Sequence, residues 1–129
     1  MAITHQFIEG RPLLLFRLEG ACTGVEAADV LRSVARDERL APGTAVLWDG
    51  RLLTHFYIRE ENVDEIVAAQ RAFEAVTGPG RSAIVAVRPE DDLTARLFVR
   101  VIASEVRDIR VFPDLEEALA WLGASDLDL

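Results

Sequence analysis

The sequence has one cysteine, Cys22, and two histidines, His5 and His55, among 129 residues. A lone cysteine cannot form an internal disulfide, which fits a reducing compartment, and we expect a cytoplasmic protein. A structural zinc site needs four ligands and a catalytic one needs three. Two histidines far apart in sequence therefore predict no metal site, and we expect no cofactor.

Long apolar runs and the common catalytic motifs are also missing. No apolar run approaches the roughly 18 residues of a membrane span, and the N-terminus lacks the pattern of a signal peptide. Gly78-Pro79-Gly80 lacks the lysine and the spacing of a P-loop, and no Gly-x-Gly-x-x-Gly occurs. Cys22 precedes a predicted helix, where a thiolate is favoured, but a nucleophile also needs a base and an oxyanion site. We favour a small packed residue at this position and a protein that is not an enzyme.

Basic residues are outnumbered by acidic ones, 14 to 22, so the formal net charge is −8. A surface this acidic repels phosphate backbones and anionic lipid, and we expect neither nucleic acid nor a membrane as partner. Half of the residues are hydrophobic, which is enough for a sizeable core at this length. The chain predicts one domain over residues 1–129.

The clearest element present is the apolar run Arg81–Val87, which has no polar residue after Ser82. Turn residues bound it, Gly78-Pro79-Gly80 before and Arg88-Pro89 after. A short run rich in β-branched residues between such signals is typical of a strand buried on both faces. Burial on both faces requires helices above and below a largely parallel sheet. The run therefore predicts a central strand of an α/β domain.

Turn and capping signals divide the remaining chain into the order β-β-α-β-α-β-α-β-α. Ile3–Ile8 and Leu13–Leu18 predict a hairpin whose first strand lies at the sheet edge, with Gly20 ending the second strand. The boundaries predicted after it are a helix from the Thr23-Gly24-Val25-Glu26 capping box to about Arg39, a strand Thr44–Asp49 ended by Gly50, a helix capped at Asn62 and stopped at Gly78, a helix opened by Pro89, a strand Val106–Phe112, a helix from Asp114 to Leu122 stopped by Gly123, and a frayed tail Ala124–Leu129. The helix opened by Pro89 has a wide apolar face, formed by Leu93, Leu97 and Val101 with the flanking Phe98 and Ile102.

Several of these features together resemble the SpoIIAA-like proteins of the STAS superfamily, in a bacterial branch of uncharacterised single domains. They are the opening hairpin, the capped helix, the Asp49-Gly50-Arg51 strand end, the Ile84-Val85-Ala86-Val87 strand and the closing stretch from Asp108 to Gly123. The resemblance covers nearly the whole chain and implies a mixed five-stranded sheet flanked by four helices.

The same resemblance implies a regulatory module that acts by protein interaction, switched in some members by phosphorylation of a serine at the start of the helix after the third strand. This sequence departs from that pattern. Gly50-Arg51-Leu52-Leu53-Thr54 follows Trp48-Asp49 without an Asp-Ser pair, and Asn62 occupies the expected helix cap. We therefore expect no serine-phosphorylated switch, and Thr54 is the only hydroxyl in that connection apart from Tyr57.

A candidate site follows from the position of the connections in a wound sheet. Ligands and partners meet the loops beyond the carboxyl ends of the parallel strands. Arg51–Ile58 is apolar enough for a strand, but it lies where a strand-to-helix loop belongs, so Asp49–Glu61 is predicted as a long and functional loop. The candidate ligand- or partner-binding residues are Trp48, Asp49, Arg51, Thr54, His55, Tyr57 and Arg88. In the alternative, Asp49 and Arg51 only pin the loop by a salt bridge and Phe56 packs on the second helix.

Two functions of different class follow. The first is a non-enzymatic interaction or regulatory module that binds another protein or itself; the unprotected edge of Ile3–Ile8 predicts a homodimer. The second is a module for a small apolar or acyl ligand, because Trp48, Phe56 and Tyr57 cluster in sequence. A buried apolar cavity beside Trp48 and Tyr57 would favour the ligand, and a flat apolar surface would favour the interaction.

Overall fold

The computed structural model describes residues 2–129, which form a five-stranded sheet with four α-helices. The elements in chain order are β1 (Ile3–Phe7), β2 (Leu13–Thr23), α1 (Gly24–Ala35), β3 (Ala45–Tyr57), α2 (Val63–Thr77) after a 3₁₀ turn at Glu60–Asn62, β4 (Gly80–Val85), α3 (Pro89–Ile102), β5 (Arg107–Phe112) and α4 (Leu115–Leu122). The predicted order and the predicted α/β class are confirmed. No helix among the described residues is long and apolar enough to cross a bilayer.

The strands lie side by side in sequence order, β1-β2-β3-β4-β5. β1 runs antiparallel to β2, with Ile3 opposite Leu18 and Phe7 opposite Leu14, and the other three pairs of strands are parallel. The hairpin and the edge position of its first strand are as the sequence predicts. β4 lies between β3 and β5, which confirms the predicted internal strand, although it ends at Val85 and leaves Val87 exposed.

Adjacent residues of the internal strands point to opposite faces, and each face is covered. Leu14 and Phe16 of β2 belong to a core shared with α1, α2 and α3. Leu13 and Leu15 belong to a second core on the other face, where Leu119 of α4 packs. The uninterrupted apolar run of β2 is thus explained by burial on both sides of the sheet.

The predicted capping box at the start of α1 is present. The hydroxyl of Thr23 accepts a hydrogen bond from the backbone N–H of Glu26 at 3.1 Å, and the Glu26 carboxylate accepts one from the N–H of Thr23 at 3.0 Å. Gly123 ends α4 with a φ of 72°, a left-handed conformation that glycine adopts without strain. The predicted cap of α2 is only partly present. Asn62 is the residue before the helix, but its side chain makes no capping hydrogen bond.

Three predicted boundaries are wrong. β2 continues through Gly20 to Thr23, and β3 continues through Gly50 to Tyr57, so neither glycine ends its strand. Beyond Gly20 and Gly50, β2 and β3 remain paired with each other along their backbones. α1 ends at Ala35, several residues before Arg39.

The apolar face of α3 is narrower than the sequence predicts. Phe98 and Ile102 are buried in the first core. Leu93 and Leu97, predicted on the same face, are 63% and 50% exposed. They border a groove between α3 and β5, and no other part of the described chain covers them.

The C-terminal tail, predicted to be frayed, lies against the rest of the chain. Ala124 is buried in the second core, and Leu127 and Leu129 pack beside it. The terminal nitrogens Nη1 and Nη2 of Arg11 donate to the carboxylate of Asp126, at 3.0 and 2.6 Å. This ion pair lowers the pKa of Asp126 through its hydrogen bonds.

A buried polar cluster joins the C-terminal ends of α2 and α3. The Glu74 carboxylate, 3% exposed, accepts hydrogen bonds from the side chains of Gln70, Arg71 and Ser104 at 3.0–3.1 Å. Arg71 also donates to two backbone carbonyl groups at the end of α3. The cluster is at the end of the sheet opposite to the carboxyl ends of the parallel strands, because β4 and β5 begin beside it.

Candidate functional site

β2 and β3 continue as a two-stranded ribbon beyond the end of β4. β3 pairs with β4 only over Val46–Asp49, but it stays paired with β2 to its last residue. The β2–β3 ribbon consists of Glu19–Thr23 and Leu52–Tyr57. One register shift, between Arg17 and Glu19, separates it from the main sheet, and a second, between Gly20 and Ala21, lies within it. Such bulges bend a strand and re-aim its side chains. The predicted loop Asp49–Glu61 is therefore wrong over most of its length, because β2 is long enough to pair with it.

Asp49 and Arg51 form an ion pair at the base of the ribbon. The Asp49 side chain is 6% exposed and accepts hydrogen bonds from Nε and Nη2 of Arg51 at 3.0 and 2.8 Å. The backbone N–H of Arg51 donates to the same carboxylate, and Nη2 also donates to the carbonyl oxygen of Leu129. The pairing with Asp49 raises the pKa of Arg51. This geometry is that of the alternative in which the two residues pin the chain.

Arg88 connects the start of α3 to the β2–β3 ribbon. Its Nε and Nη2 donate to the buried carboxylate of Asp91 at 2.7 and 2.9 Å, which raises the pKa of Arg88. Nη2 also donates to the backbone carbonyl oxygen of Thr54. One cation therefore holds the connection after β4 against the strand beyond Asp49. The contact joins the side chain of Arg88 to the backbone of Thr54, not to the Thr54 side chain.

Trp48 lies away from the exposed part of the candidate site. It is 7% exposed and stacks on Phe16, with ring centroids 4.1 Å apart and an angle of 24° between the rings. Phe56 also points into this first core and packs edge-to-face on Phe98 of α3. Phe56 thus has a neighbour on α3, and its packing on the second helix stays a prediction.

An apolar cavity of about 40 Å³ lies between Trp48, Phe56 and Phe98. Pockets for drug-sized ligands measure about 300–1,000 Å³. Tyr57, expected to line such a cavity, is 53% exposed on the outside of the ribbon. The geometry does not favour the small-ligand alternative.

The exposed residues of the site are on the β2–β3 ribbon. His55 and Tyr57 project from the same side of β3, with nearly parallel rings 5.6 Å apart. Leu52 is 66% exposed, and Val87, just before Arg88, is 54% exposed. Neither Leu52 nor Val87 is a predicted site residue. Adjacent residues of a strand face opposite sides. Leu53 packs against the first core, so Leu52 points the other way, and the doublet alone did not show that this side is uncovered.

Acidic residues near the site are paired rather than grouped around a common point. Asp91 and Asp92 contact Arg88 and Arg96, and Glu65 contacts Arg32. Within residues 2–129 no group of three histidine, cysteine, aspartate or glutamate side chains is placed to hold a metal ion.

Cys22 is fully buried, and burial, followed by the negative charge of Glu26, raises its thiol pKa. Because the thiolate is the reactive form, we expect a disulfide reagent at mildly alkaline pH to label the native protein at least about 100-fold more slowly than the protein in denaturant, since labelling requires local opening. Absorbance of the released thiol follows the reaction. Stoichiometric labelling of the native chain within the mixing time would contradict this burial.

Solved structures provide the comparison for this architecture. The chain is similar to an uncharacterised protein of the DUF3478 family with a SpoIIAA-like fold from Shewanella loihica PV-4, at 18% identity and a TM-score of 0.58, over 94% of this chain and 92% of that one. It is similar to the anti-sigma factor antagonist SpoIIAA in its unphosphorylated form, at 17% identity and a TM-score of 0.54, over 90% and 92% of the two chains. For the phosphorylated form of the Bacillus cell fate determinant SpoIIAA the identity is 17% and the TM-score 0.52, over 93% and 98%.

No protein-family model and no curated protein sequence matches the chain. At these identities the structural likeness establishes the fold. The chain is an α/β protein with a SpoIIAA-like fold, a mixed five-stranded sheet with four helices. The predicted SpoIIAA-like fold is confirmed.

Proposed function

We propose that this chain is a non-catalytic module that binds a partner protein through the β2–β3 ribbon. The observation that supports this function best is the exposure of Leu52 and Tyr57 on a ribbon that extends beyond β4, with Val87 exposed at the end of β4. Exposed apolar side chains bordered by polar residues are typical of a protein interaction site. We name the three residues Leu52, Tyr57 and Val87 the ribbon surface.

The backbone of the ribbon supports the same function. Beyond Asp49 the β4-facing edge of β3 has no strand partner. Open edges of this kind accept extended segments from other chains. Arg88 already donates to one backbone acceptor of this edge, the carbonyl oxygen of Thr54. A partner strand would pair with the other backbone groups of the edge.

The charge around the ribbon surface indicates the class of partner. Exposed charges of both signs lie near it, Glu19, Glu60 and Glu61 together with Arg51 and Arg59, in a chain of net charge −8. A chain of this net charge repels nucleic acid and anionic lipid and attracts basic groups. The partner we propose is a protein with an apolar contact patch bordered by lysine or arginine.

A non-catalytic role is supported by the buried titratable groups near the ribbon, which have structural roles. Asp49 and Asp91 are held by arginines, and Cys22 is buried. A phosphoserine switch at the start of α2 is not part of the proposal, since no serine or threonine lies between His55 and Gln70. A free thiol at Cys22 is compatible with the reducing cytoplasm that we propose as the compartment.

The test compares matched serine substitutions at the two ends of the sheet. Leu52→Ser and Tyr57→Ser are expected to reduce retention of the partner from a lysate of the source organism by at least about tenfold, because truncating a hot-spot residue costs about 2 kcal/mol or more and about 1.4 kcal/mol is tenfold. Their melting temperatures should stay within about 2 °C of the parent, since exposed substitutions rarely change stability by more than about 0.5 kcal/mol. Mass spectrometry identifies the retained protein.

Val106→Ser is the matched control. Val106 is also apolar and 40% exposed, but it precedes β5 at the opposite end of the sheet. We expect full retention with this variant. Equal retention by all three variants, or equal loss with Val106→Ser, would place the binding surface elsewhere. Arg51 and Arg88 are unsuitable test positions because their loss would also unpair a buried carboxylate.

A further inference from the structure

β5 forms the edge of the sheet opposite to β1, and its outer side is unpaired. It contains no proline, and its exposed charges, Asp108 and Arg110, are of opposite sign, so that they repel a like strand only in some registers. Unprotected edges recruit further strands. Beside β5, Leu93 and Leu97 of α3 border a groove of about 580 Å³ that Ile109 and Val111 also line. An edge strand next to exposed leucines is therefore left without a partner in the single chain.

The sequence of β5 is complementary to itself. Asp108 and Arg110 lie on one side of the strand, where they form an exposed ion pair at 3.2 Å. Ile109 lies between them and packs toward the first core on the other side. If two copies of β5 pair antiparallel with Ile109 opposite Ile109, then Asp108 of each copy lies opposite Arg110 of the other. Opposite charges in directly facing positions stabilise a strand pair, and a two-fold axis produces the contact twice.

The charges of α3 are also complementary to those of a second copy related by a two-fold axis. Its first turn is acidic, with Glu90 and Asp92, and Arg96 and Arg100 follow toward its C-terminal end. A two-fold axis through Ile109 sets the α3 helices of the two copies antiparallel on one face of the joined sheet. The acidic end of each helix then runs toward the basic end of the other. Leu93 and Leu97 of both copies would cover the junction.

From these observations we propose that the chain forms a homodimer through antiparallel pairing of β5 with β5 of a second copy, which joins the two sheets into one. The inference deepens the proposed interaction function by naming the second copy as one partner. It involves no residue of the ribbon surface, so either proposal can fail alone. β1, the edge from which the sequence predicts a homodimer, exposes only the uncharged or weakly basic Thr4, His5 and Gln6 and has no such charge pattern.

The test measures mass by light scattering across a dilution series from hundreds of micromolar downward. The parent chain is expected at twice its mass of 14.3 kDa. Arg110→Asp places like charges opposite each other at both symmetric contacts, and it should raise the dissociation constant at least about tenfold. The exchange Asp108→Arg with Arg110→Asp restores opposite charges in the same register and should restore the dimer to within about threefold of the parent.

His5→Asp on β1 is the matched control, and it should leave the dissociation constant unchanged. Circular dichroism verifies that each variant is folded, and the exchanged pair serves as the test if Arg110→Asp alone is unstable. A single-chain mass for the parent at the highest concentration would overturn the proposal. So would an unchanged dimer in Arg110→Asp, failure of the exchanged pair to dimerise, or loss of the dimer in His5→Asp.

Discussion

Replacing Glu74 with alanine is expected to lower the free energy of unfolding by about 3 kcal/mol, because removal of one member of a buried ion pair typically costs about 3–5 kcal/mol. The carboxylate is the common acceptor for Gln70, Arg71 and Ser104. Without it, the buried amide of Gln70 and the hydroxyl of Ser104 lose a partner, at about 1–3 kcal/mol for each fully buried group. We expect a loss at the lower end of the range of about 3–5 kcal/mol, because Arg71 is 40% exposed and water can solvate it.

Arg107 adds an electrostatic contribution to the same effect. Its guanidinium is buried and donates to Ser82 Oγ and to the carbonyl oxygens of Gly78 and Arg81. Burial lowers the pKa of Arg107, and the negative charge of Glu74 raises it. Without Glu74, the charged form of this buried arginine loses its compensating carboxylate.

Urea denaturation followed by circular dichroism measures the loss, and the melting temperature should fall by about 10 °C for a chain of this size. Glu74→Gln retains an acceptor oxygen and the shape of the side chain, and we expect about half the loss. Glu116→Ala removes an exposed carboxylate from the first turn of α4 and should cost at most about 0.5 kcal/mol. Equal losses for Glu74→Ala and Glu116→Ala would mean that the polar cluster does not form.

The parts of the fold that could be predicted from the sequence are those that local chemistry determines. Arg81–Val87 is a strand because its apolar run is bounded by turn residues, and β4 occupies Gly80–Val85. The box Thr23–Glu26 is read from four adjacent residues, and it is present with both hydrogen bonds. In each case the physical cause lies within the segment itself.

The failed predictions depend on residues distant in sequence. Gly20 and Gly50 are common strand-ending signals, but each lies in a strand whose partner continues beside it. The bulges that accommodate the glycines are visible only once β2 and β3 are paired. Leu93 and Leu97 follow the helical period of α3, but the period does not reveal that they reach past the last strand of the sheet.

The candidate site illustrates the same limit. Trp48 and Asp49 are adjacent at the end of the predicted strand Thr44–Asp49, and the sequence does not show which face of that strand each core covers. In a strand they point to opposite faces, so Trp48 enters the first core and Asp49 pairs with Arg51. His55 and Tyr57 remain exposed because the same alternation turns them outward. The sequence thus indicates the correct end of the sheet, whereas the exposed surface depends on the strand register.

Gly50→Ala is expected to destabilise the protein by about 3 kcal/mol, the upper end of the usual cost of overpacking. A β-carbon on Gly50 would lie well inside van der Waals contact with the carbonyl oxygen of Val85, a backbone atom that cannot move without disturbing the β3–β4 pairing. The sign of the change in stability distinguishes the strand seen at Gly50 from the loop predicted there. In an open loop with an ordinary backbone conformation, the same substitution would stabilise by about 0.4–1 kcal/mol, because alanine reduces the entropy of the unfolded chain.

Gly20→Ala is the matched control, since Gly20 lies in the partner strand β2 and a β-carbon there would meet nothing within 4 Å. Its φ of 68° is left-handed, so alanine should cost about 1–2 kcal/mol through backbone strain alone. Urea denaturation of both variants should therefore rank Gly50→Ala below Gly20→Ala in stability. If Gly50→Ala is as stable as the parent or more stable, β3 does not pass beside Val85, and the β2–β3 ribbon that carries the proposed interaction surface does not exist.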